Sequence, residues 1–235
     1  MLTKSHRNSC QQAKIVLTPN LFAIATSELS QDAFLTWLLQ WADPKYRDAN
    51  LPLNAAAQAF LKSLLSLQGE PPEKIHKVKA GRQWHNIDVW VEVNDTHLII
   101  IEDKTGSGQH SNQLERYRDV AMNDCKKTGR QLICVYLKTQ SECLATSLRI
   151  TEQNWATYSR HHFLKVLESH PVQNDIYMGF LSYLRELEDA ETQFREKPLA
   201  DWNASDWIGL YRALDHEGIL KDWDFVNNVA GGFWN

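Results

Sequence analysis

Apolar residues between positions 29 and 41 recur at helical spacing and predict the first helix of the chain. This helix is expected to begin near Thr26–Ser30, where hydroxyl side chains can cap free backbone N–H groups. Pro44 lies just past its end, where proline is common. The predicted apolar face consists of Leu29, Ala33, Phe34, Trp37, Leu38 and Trp41.

A second helix and a first strand are predicted to follow. Asn54 is expected to cap this helix, which extends through Leu67 and is ended by Gly69 and Pro71–Pro72. Residues 74–84 alternate loosely between apolar and polar, as the residues of an exposed strand do.

Three apolar segments have strong strand character. Ile87–Val93 and His97–Lys104 are rich in β-branched residues, and only Asn94-Asp95-Thr96 separates them, so we predict a hairpin. Gln131–Lys138 is a further apolar strand. The three segments therefore predict the centre of a sheet.

A loop and a helix are predicted between the second and third of these segments. Residues 105–110 form a loop rich in glycine and serine. Asn112 and Glu115 have the spacing of a capping box, and the helix that they begin extends through Lys127. Gly129 is expected to close it.

The second half of the chain is predicted to be mainly helical. The predicted elements are a short strand at Ala156–Ser159, helices at about 160–169, 173–195 and 205–217, and a strand and turn at Trp223–Trp234. The order helix, strand, strand, strand, helix, strand indicates an α/β core with a helical C-terminal layer. We therefore divide the chain into an N-terminal leader at 1–19, a core at 20–170 and a helical extension at 171–235 packed on the core.

The composition of the 235 residues is that of an average globular protein, with 43% hydrophobic and 23% charged residues. Apolar runs such as Leu98–Ile101 are far shorter than the about 20 residues of a membrane-spanning helix, so no membrane partner is expected. Residues 185–206 contain three basic and seven acidic residues and so account for the net charge of −4. Residues 73–82 contain four basic residues and one acidic residue, which allows a local strip for phosphate groups.

The cysteines and the N-terminus indicate the compartment. Cys10, Cys125, Cys134 and Cys143 have neither CxxC spacing nor the spacing of a zinc finger. The first 14 residues are polar and lack the apolar stretch of a signal peptide. These features predict reduced thiols and a cytoplasmic protein.

Charged residues interrupt the two central strands. The strand at 97–104 passes from four apolar residues directly into Glu102, Asp103 and Lys104, and Asp88 interrupts the apolar residues of the strand before it. Because side chains alternate along a strand, Glu102 and Lys104 share one face while Asp103 points away. Two carboxylates can hold Mg²⁺, and a lysine can orient a water or offset transition-state charge. The set suits metal-assisted phosphodiester hydrolysis, although a solvated hairpin whose charges only mark a strand end is the competing interpretation.

The pairing register of this hairpin decides whether Asp88 and Glu102 meet. Directly opposed residues of an antiparallel pair point to the same face, and a two-residue turn puts the two carboxylates on opposite faces. A three-residue loop at 94–96 pairs Val93 with His97 and sets Asp88 across from Glu102; asparagine and aspartate tolerate the left-handed backbone that such a loop needs. We predict this register, or a β-bulge with the same effect. It gathers Asp88, Glu102 and Lys104 on one face, and Ile87, Val89, Val91, Val93, Ile99 and Ile101 on the other.

Asp88 followed by Glu102-x-Lys104 resembles the motif of the PD-(D/E)xK nuclease superfamily. The order of elements from about residue 20 to 140 also resembles the core of that family, which is a helix, three strands, a helix and a strand. Ile87 stands where the family usually has a proline, a departure that the superfamily tolerates.

Three further segments resemble members of the same family. Gln113-Leu114-Glu115-Arg116-Tyr117 resembles the QxxxY motif that RecB-like members carry on the helix after the ExK strand. Residues 26–32 are similar to the first-helix segment of that branch, whose glutamate joins the metal site. The tail from Trp207 to Trp234 is similar to that of uncharacterised bacterial members.

The resemblance implies a restriction-endonuclease-like fold and a nuclease that uses Mg²⁺, for which Mn²⁺ can substitute, with DNA as the expected substrate. The implied metal ligands are Glu28, Asp88, Glu102 and the backbone carbonyl of Asp103, and the implied catalytic residues are Asp88, Glu102, Lys104, Gln113 and Tyr117. Lys104 would serve the attacking water, while Gln113 and Tyr117 would contact the substrate backbone or fix the catalytic strand. A homodimer or a larger defence or repair complex is compatible with this interpretation.

Simpler alternatives exist for several of these roles. Tyr117 can be half-buried packing with Gln113 at the surface, and Glu28 can merely complement the dipole of its helix. For the whole chain, the alternative is a non-catalytic nucleic-acid- or protein-binding module of the same fold within a larger assembly. The intact Asp88, Glu102 and Lys104 favour the enzyme, because a module released from catalysis has no physical need for these charges at a strand end.

Overall fold

The computed structural model describes residues 19–106 and 112–223, together with strands at 225–228 and 231–234. The strands of its main sheet are β1 (Val78–Trp84), β2 (Ile87–Val93), β3 (His97–Lys104), β4 (Gln131–Lys138) and β5 (Ala156–Ser159). They lie side by side in chain order. β1, β2 and β3 are antiparallel neighbours, while β4 is parallel to β3 and β5 is parallel to β4.

Helices cover both faces of this sheet. They are α1 (Leu21–Ile24), α2 (Glu28–Trp41), α3 (Leu51–Leu65), α4 (Gln113–Thr128), α5 (Leu144–Glu152), α6 (Arg160–Glu168), α7 (Asp175–Thr192) and α8 (Ala204–His216). Buried residues of α2, α3, α6 and α7 form one apolar core with the sheet, and those of α4 and α5 form a second. A separate antiparallel hairpin consists of β6 (Phe225–Asn228) and β7 (Gly231–Trp234). The mixed architecture confirms the predicted α/β, restriction-endonuclease-like class.

Aromatic stacking joins the later helices to the core. The ring of Phe34 on α2 stacks on that of Phe180 on α7 with centroids 3.8 Å apart, and Phe60 on α3 stacks on Phe163 on α6 at 4.6 Å. All four side chains are buried. Since each aromatic ring buries about 150–250 Å², α6 and α7 belong to the main core rather than to its periphery.

The predicted register of the β2–β3 hairpin is confirmed. Val93 pairs with His97 and Val89 with Ile101, which is the pairing of a three-residue loop. Asn94 and Asp95 both have left-handed backbone, with φ of 54° and 60°. The same pairing, continued past Val89, places Asp88 beside the strand position of Glu102.

The β1–β2 ladder is interrupted next to Asp88. Arg82 pairs with Val89 and Trp84 with Ile87, and Gln83 between them has a φ of 57°. The interruption breaks the alternation of side chains, so the prediction that Ile87 shares a face with Val89 is wrong. Ile87 belongs to the core under α4 and α5, whereas Val89, Val91 and Val93 face α2 and α3.

The start of α3 also differs from the prediction. Asn50, rather than Asn54, is the N-cap, and its side chain accepts a hydrogen bond from the backbone N–H of Leu53 at 3.0 Å. Asn54 is buried within the helix and donates to the backbone oxygens of Trp41 and Asp43. An asparagine suits either role, so the residue type alone did not distinguish the two positions.

Other boundaries were predicted less well than the strands. Asn112 precedes α4 in left-handed conformation without a side-chain cap, so the capping box is not formed, whereas Gly129 closes the helix with φ of 72° as predicted. α1 and α5 were not predicted, because each has too few residues to show a clear period. α7 ends at Thr192 and continues as a 3-10 turn to Arg195.

Some predictions concern the ends of the chain. Of the predicted leader at 1–19, only Pro19 lies within the described residues, and Cys10 lies outside them. Cys125, Cys134 and Cys143 are buried free thiols. Among the described helices, none combines the length and the apolar character needed to cross a bilayer.

Candidate active site

Asp88, Glu102 and Lys104 come together where β2 begins and β3 ends. The Lys104 Nζ lies 2.6 Å from Glu102 Oε1. Asp88 is near enough to Glu102 for its negative charge to raise the pKa of the Glu102 carboxyl group. Asp88 Oδ2 also accepts a hydrogen bond from the backbone N–H of Asp103 at 3.0 Å. The side chains of the predicted catalytic set therefore share one small volume.

Glu102 and Lys104 are buried and Asp88 is partly buried, which is unusual for a strand end. Glu102 is 0% and Lys104 6% exposed. Among the described residues, none donates a hydrogen bond to Glu102 Oε2, although its neighbour Oε1 contacts Lys104. A solvated hairpin would leave such groups in water, because burying a charge without full compensation is costly. The interpretation of the set as a solvated strand end is therefore wrong.

Burial and mutual repulsion alter the acidity of the two carboxyl groups. Burial, followed by the charge of Asp88, raises the pKa of Glu102 to about 7. Burial also raises the pKa of Asp88 above its ordinary value. For Lys104, burial alone would lower the pKa, but the hydrogen bond and charge of Glu102 outweigh it and raise the pKa. The lysine is thus cationic, and the acid pair readily holds a proton when no cation is bound.

Glu28 approaches the site from the first turn of α2. Its Oε1 accepts a hydrogen bond from the backbone N–H of Thr105 at 3.3 Å, and its Oε2 lies 3.9 Å from Lys104 Nζ. Its side chain is 35% exposed, in contrast to Glu102. Glu28 therefore lies at the rim of the site, beside the lysine.

Gln113 and Tyr117 approach from α4 on the other side of the sheet. Gln113 Nε2 donates to Glu102 Oε1 at 2.8 Å and to the Tyr117 hydroxyl at 3.1 Å. Tyr117 is 4% exposed and packs in the core under α4. Packing thus accounts for the Tyr117 ring, while Gln113 contacts the carboxylate directly and is not a simple surface residue.

A second buried acidic pair was missed by the sequence reasoning. Asp103 faces α2, where Gln31 Nε2 donates to its Oδ1 at 2.5 Å, and the negative charge of the neighbouring Asp32 acts on its carboxyl group. Burial raises the pKa of Asp103 well above its ordinary range, and burial with the charge of Asp88 raises the pKa of Asp32 to about 6. Arg82 Nη2 lies 3.6 Å from Asp32 Oδ2. Gln31 and Asp32, one turn after Glu28 on the same helix, were the available signal.

The predicted basic strip is largely paired with acids in the structure. Lys77, Lys79 and Arg82 lie within 4 Å of the carboxylates of Asp95, Glu92 and Asp32 respectively. Ion pairs at the surface are weak, so Lys77 and Lys79 can exchange these partners for phosphate. The positions of these side chains nevertheless do not distinguish the strip as a nucleic-acid-binding surface.

The oxygen donors at the site fit a divalent cation that keeps several waters. Asp88 and Glu102 face each other, and the unpartnered, fully buried Glu102 Oε2 is an acceptor that a cation would satisfy. Among the described residues, no three His, Cys, Asp or Glu side chains are close enough to enclose a metal ion. The residues present therefore fit Mg²⁺ held by two carboxylates and completed by water and substrate oxygens, rather than a closed structural site.

Gln83→Gly is expected to stabilise the protein by about 1 kcal/mol. Gln83 is exposed and holds a φ of 57° opposite Asp88, a conformation that glycine adopts without strain. Urea unfolding of the two proteins measures the difference. An equal or lower stability of the glycine variant would mean that Gln83 is not strained.

An α/β core with helices on both faces of its sheet brings two carboxylates and a lysine together at the meeting point of β2 and β3. The family model described as PD-(D/E)XK nuclease superfamily matches residues 19–173. The chain therefore belongs to the PD-(D/E)XK nuclease superfamily, as its motifs predicted. Comparison with curated proteins and with solved structures gives no match.

Proposed function

We propose that this protein is a Mg²⁺-dependent nuclease that hydrolyses phosphodiester bonds of DNA. One observation carries the proposal: the carboxyl groups of partly buried Asp88 and fully buried Glu102 lie near the cationic Lys104, and Glu102 has an oxygen without a hydrogen-bond partner among the described residues. Such an arrangement is unfavourable without a ligand, and a cation with a bound phosphate would satisfy it.

Asp88, Glu102 and the backbone carbonyl of Asp103 would hold the cation, and Glu28 at the rim would join through the waters that Mg²⁺ keeps. When bound, Mg²⁺ would polarise the phosphoryl oxygen and lower the pKa of a bound water. Mn²⁺ would substitute for it.

Lys104 would orient the attacking water and offset the charge that develops on the phosphoryl group, since a fixed cation acts strongly in a buried site. Gln113 would hold Glu102 by its hydrogen bond to Oε1. Tyr117 would set the position of Gln113. We further propose that the protein is cytoplasmic and acts as a homodimer or within a defence or repair assembly.

The direct test is incubation with supercoiled plasmid, linear duplex, single-stranded DNA and RNA, in Mg²⁺, Mn²⁺ or EDTA. We expect cleavage of DNA in both metals and none in EDTA. Glu102→Gln is the inactive control that identifies a contaminating nuclease. If every substrate survives equally with the wild type and the variant, the enzyme proposal is wrong.

The alternative is a non-catalytic binding module of the same fold. It predicts nucleic-acid or protein binding that does not depend on divalent metal. Calorimetric titration with Mn²⁺ separates the two, because the module needs no cation at Asp88 and Glu102. The buried pairing of Glu102 with Lys104 favours the enzyme, since an apolar pair would serve packing at least as well.

A further inference from the structure

Thr139 connects three parts of the fold beside the candidate active site. It follows β4 and is fully buried. Its backbone N–H donates to the backbone oxygen of Lys104 at 3.2 Å, and its hydroxyl donates to Gln31 Oε1 on α2 at 2.9 Å. Its backbone oxygen accepts a hydrogen bond from Arg160 Nη1 at 2.7 Å. The strand of the proposed catalytic lysine, α2 and α6 therefore meet at this single residue.

From Thr139 the hydrogen bonds continue to the proposed metal site. Gln31 Nε2 donates to Asp103 Oδ1 at 2.5 Å, and the backbone N–H of Asp103 donates to Asp88 Oδ2 at 3.0 Å. Gln31 is 3% and Asp103 0% exposed. Water has little access to replace a lost bond, so a break at any of these contacts leaves a buried polar group without a partner.

In the other direction the hydrogen bonds reach the C-terminal layer. Arg160 Nη2 donates to Glu191 Oε2 at 2.6 Å and Arg160 Nη1 donates to Oε1 at 3.2 Å, a two-point contact with a carboxylate on α7. Arg160 is 3% and Glu191 4% exposed. Glu191 lies beyond residue 173, where the family match ends.

We propose that Glu191, Arg160, Thr139 and Gln31 are positioning residues of the active site. They form a buried chain of hydrogen bonds that runs from α7 to Asp103 and sets the direction in which Asp88 is held. This inference rests on the proposed function for the role of Asp88. The donors all point toward the site, from Arg160 to Thr139, to Gln31 and to Asp103. At Gln31 the accepting oxygen and the donating nitrogen belong to one amide, so these two bonds strengthen each other.

Packing alone does not account for this chain. Apolar residues would hold α7 on the core as well as a buried ion pair does. Apolar contacts are not directional, however, and do not fix the orientation of the Asp103 side chain. The hydrogen bonds do fix it, and the same residue donates its backbone N–H to Asp88. The C-terminal end of α7, which lies outside the family match, is thus connected by hydrogen bonds to the proposed catalytic carboxylate.

Thr139→Val tests the middle of the chain, because valine keeps the shape but removes the hydroxyl donor to Gln31. We expect hydrogen–deuterium exchange at the amides of Asp103 and Thr105 to become at least about tenfold faster, and Mn²⁺ affinity to fall about tenfold, as for other residues that orient metal ligands. Thr139→Ser retains the hydroxyl and should restore both values. Unchanged exchange and affinity in Thr139→Val would overturn the proposal.

Glu191→Gln tests the distant end. It should produce the same faster exchange at Asp103 and Thr105 below its melting temperature, although it lies on another layer. Glu168→Gln is the matched control, because Glu168 also joins α6 to α7 through an ion pair, 2.8 Å from Arg185, but is exposed. The control should leave exchange at Asp103 and Thr105 unchanged. Glu191 is structural and does not position the site if Glu191→Gln and Glu168→Gln change the exchange rates equally, or if Glu191→Gln lowers only the melting temperature.

The exchange measurement does not depend on catalysis. A wild type that neither binds Mn²⁺ nor cuts DNA, with exchange that responds as expected, would refute the proposed function and leave the hydrogen-bonded chain intact. A wild type that binds and cuts, with variants that change neither exchange nor affinity, would refute the positioning role alone. If Thr139→Val fails to fold, Glu191→Gln decides the same question.

Discussion

Lys104→Met is expected to lower the rate of DNA cleavage by at least about 10²–10³-fold, the loss seen when a charge-stabilising group is removed from a buried active site. Methionine keeps the length of the side chain but not its charge. Glu102 loses the ammonium group 2.6 Å from its Oε1, and no other lysine or arginine among the described residues forms an ion pair with it. The measurement is the single-turnover rate in saturating Mg²⁺, compared with the wild type.

The variant is not expected to be neutral for stability. Lys104 is buried with Glu102, so at pH 8 its removal leaves a carboxylate without its ion pair, whereas at pH 6 that carboxyl group can take up a proton instead. The melting temperature should therefore fall more at pH 8 than at pH 6.

Lys138→Met is the matched control for this variant. Lys138 lies directly opposite Lys104 on β4, is similarly buried and is 2.7 Å from the carboxylate of Glu142. It should reduce the cleavage rate less than about threefold while causing a comparable loss of stability. If both lysine variants lose activity equally, or if Lys104→Met cuts at the wild-type rate, Lys104 does not have the proposed role.

The sequence predicted the centre of the fold better than its ends. The bounds of β2, β3 and β4 were predicted to the residue, because β-branched runs bounded by turn residues leave little freedom of interpretation. The register of the β2–β3 hairpin followed from the conformations that Asn94 and Asp95 tolerate. Helix starts were harder to predict, since Asn50, Asn54 and Asn112 are all plausible caps until tertiary contacts decide between them.

The candidate site was predicted in part. Asp88, Glu102 and Lys104 were identified because a charged strand end conflicts with packing. The contacts from Asp103 through Gln31 to Thr139 could not be predicted, since Gln31 lies 72 positions from Asp103 and Thr139 lies 108 positions from Gln31. The predicted face of Ile87 was wrong because nothing in the sequence of β2 indicates that Gln83, on the neighbouring strand β1, has a left-handed backbone conformation.

Without metal, the stability of the protein is expected to depend strongly on pH, because burial raises the pKa of Glu102 and Asp32. In the absence of metal, the folded protein binds protons more tightly than the unfolded chain, because the pKa of Glu102 is raised from 4.5 to about 7 and that of Asp32 from 3.8 to about 6. A raised carboxyl pKa gives stability that is present at low pH and is lost as the pH rises through the folded-state value. The free energy of unfolding in EDTA should therefore fall between about pH 4 and pH 8, by on the order of 3 kcal/mol from Glu102 alone.

Divalent cations should reverse this loss at pH 8, since Mg²⁺ or Mn²⁺ replaces the proton between the carboxylates. Binding to the folded state alone adds about 1–2 kcal/mol when the cation concentration is roughly ten times its dissociation constant. Thermal unfolding at several pH values, in EDTA and in millimolar Mg²⁺ or Mn²⁺, measures both effects. Stability in EDTA that stays flat or rises from pH 5 to pH 8, with no response to either metal, would contradict a cation site at this pair.

Asp88→Asn should melt above the wild type in EDTA at pH 8, by about 3 °C or more, and should lose the response to metal. The amide removes one negative charge from the pair and can offer a donor to Glu102 Oε2, which has none in the wild type, while its oxygen can still accept from Asp103. Asp95→Asn makes the same change on the same hairpin at an exposed residue that forms a surface ion pair with Lys77, and it should leave both the melting temperature and the metal response nearly unchanged. An Asp88→Asn variant that melts below the wild type in EDTA would show that the two carboxyl groups do not repel each other, and the cation that they are proposed to share would have no electrostatic basis.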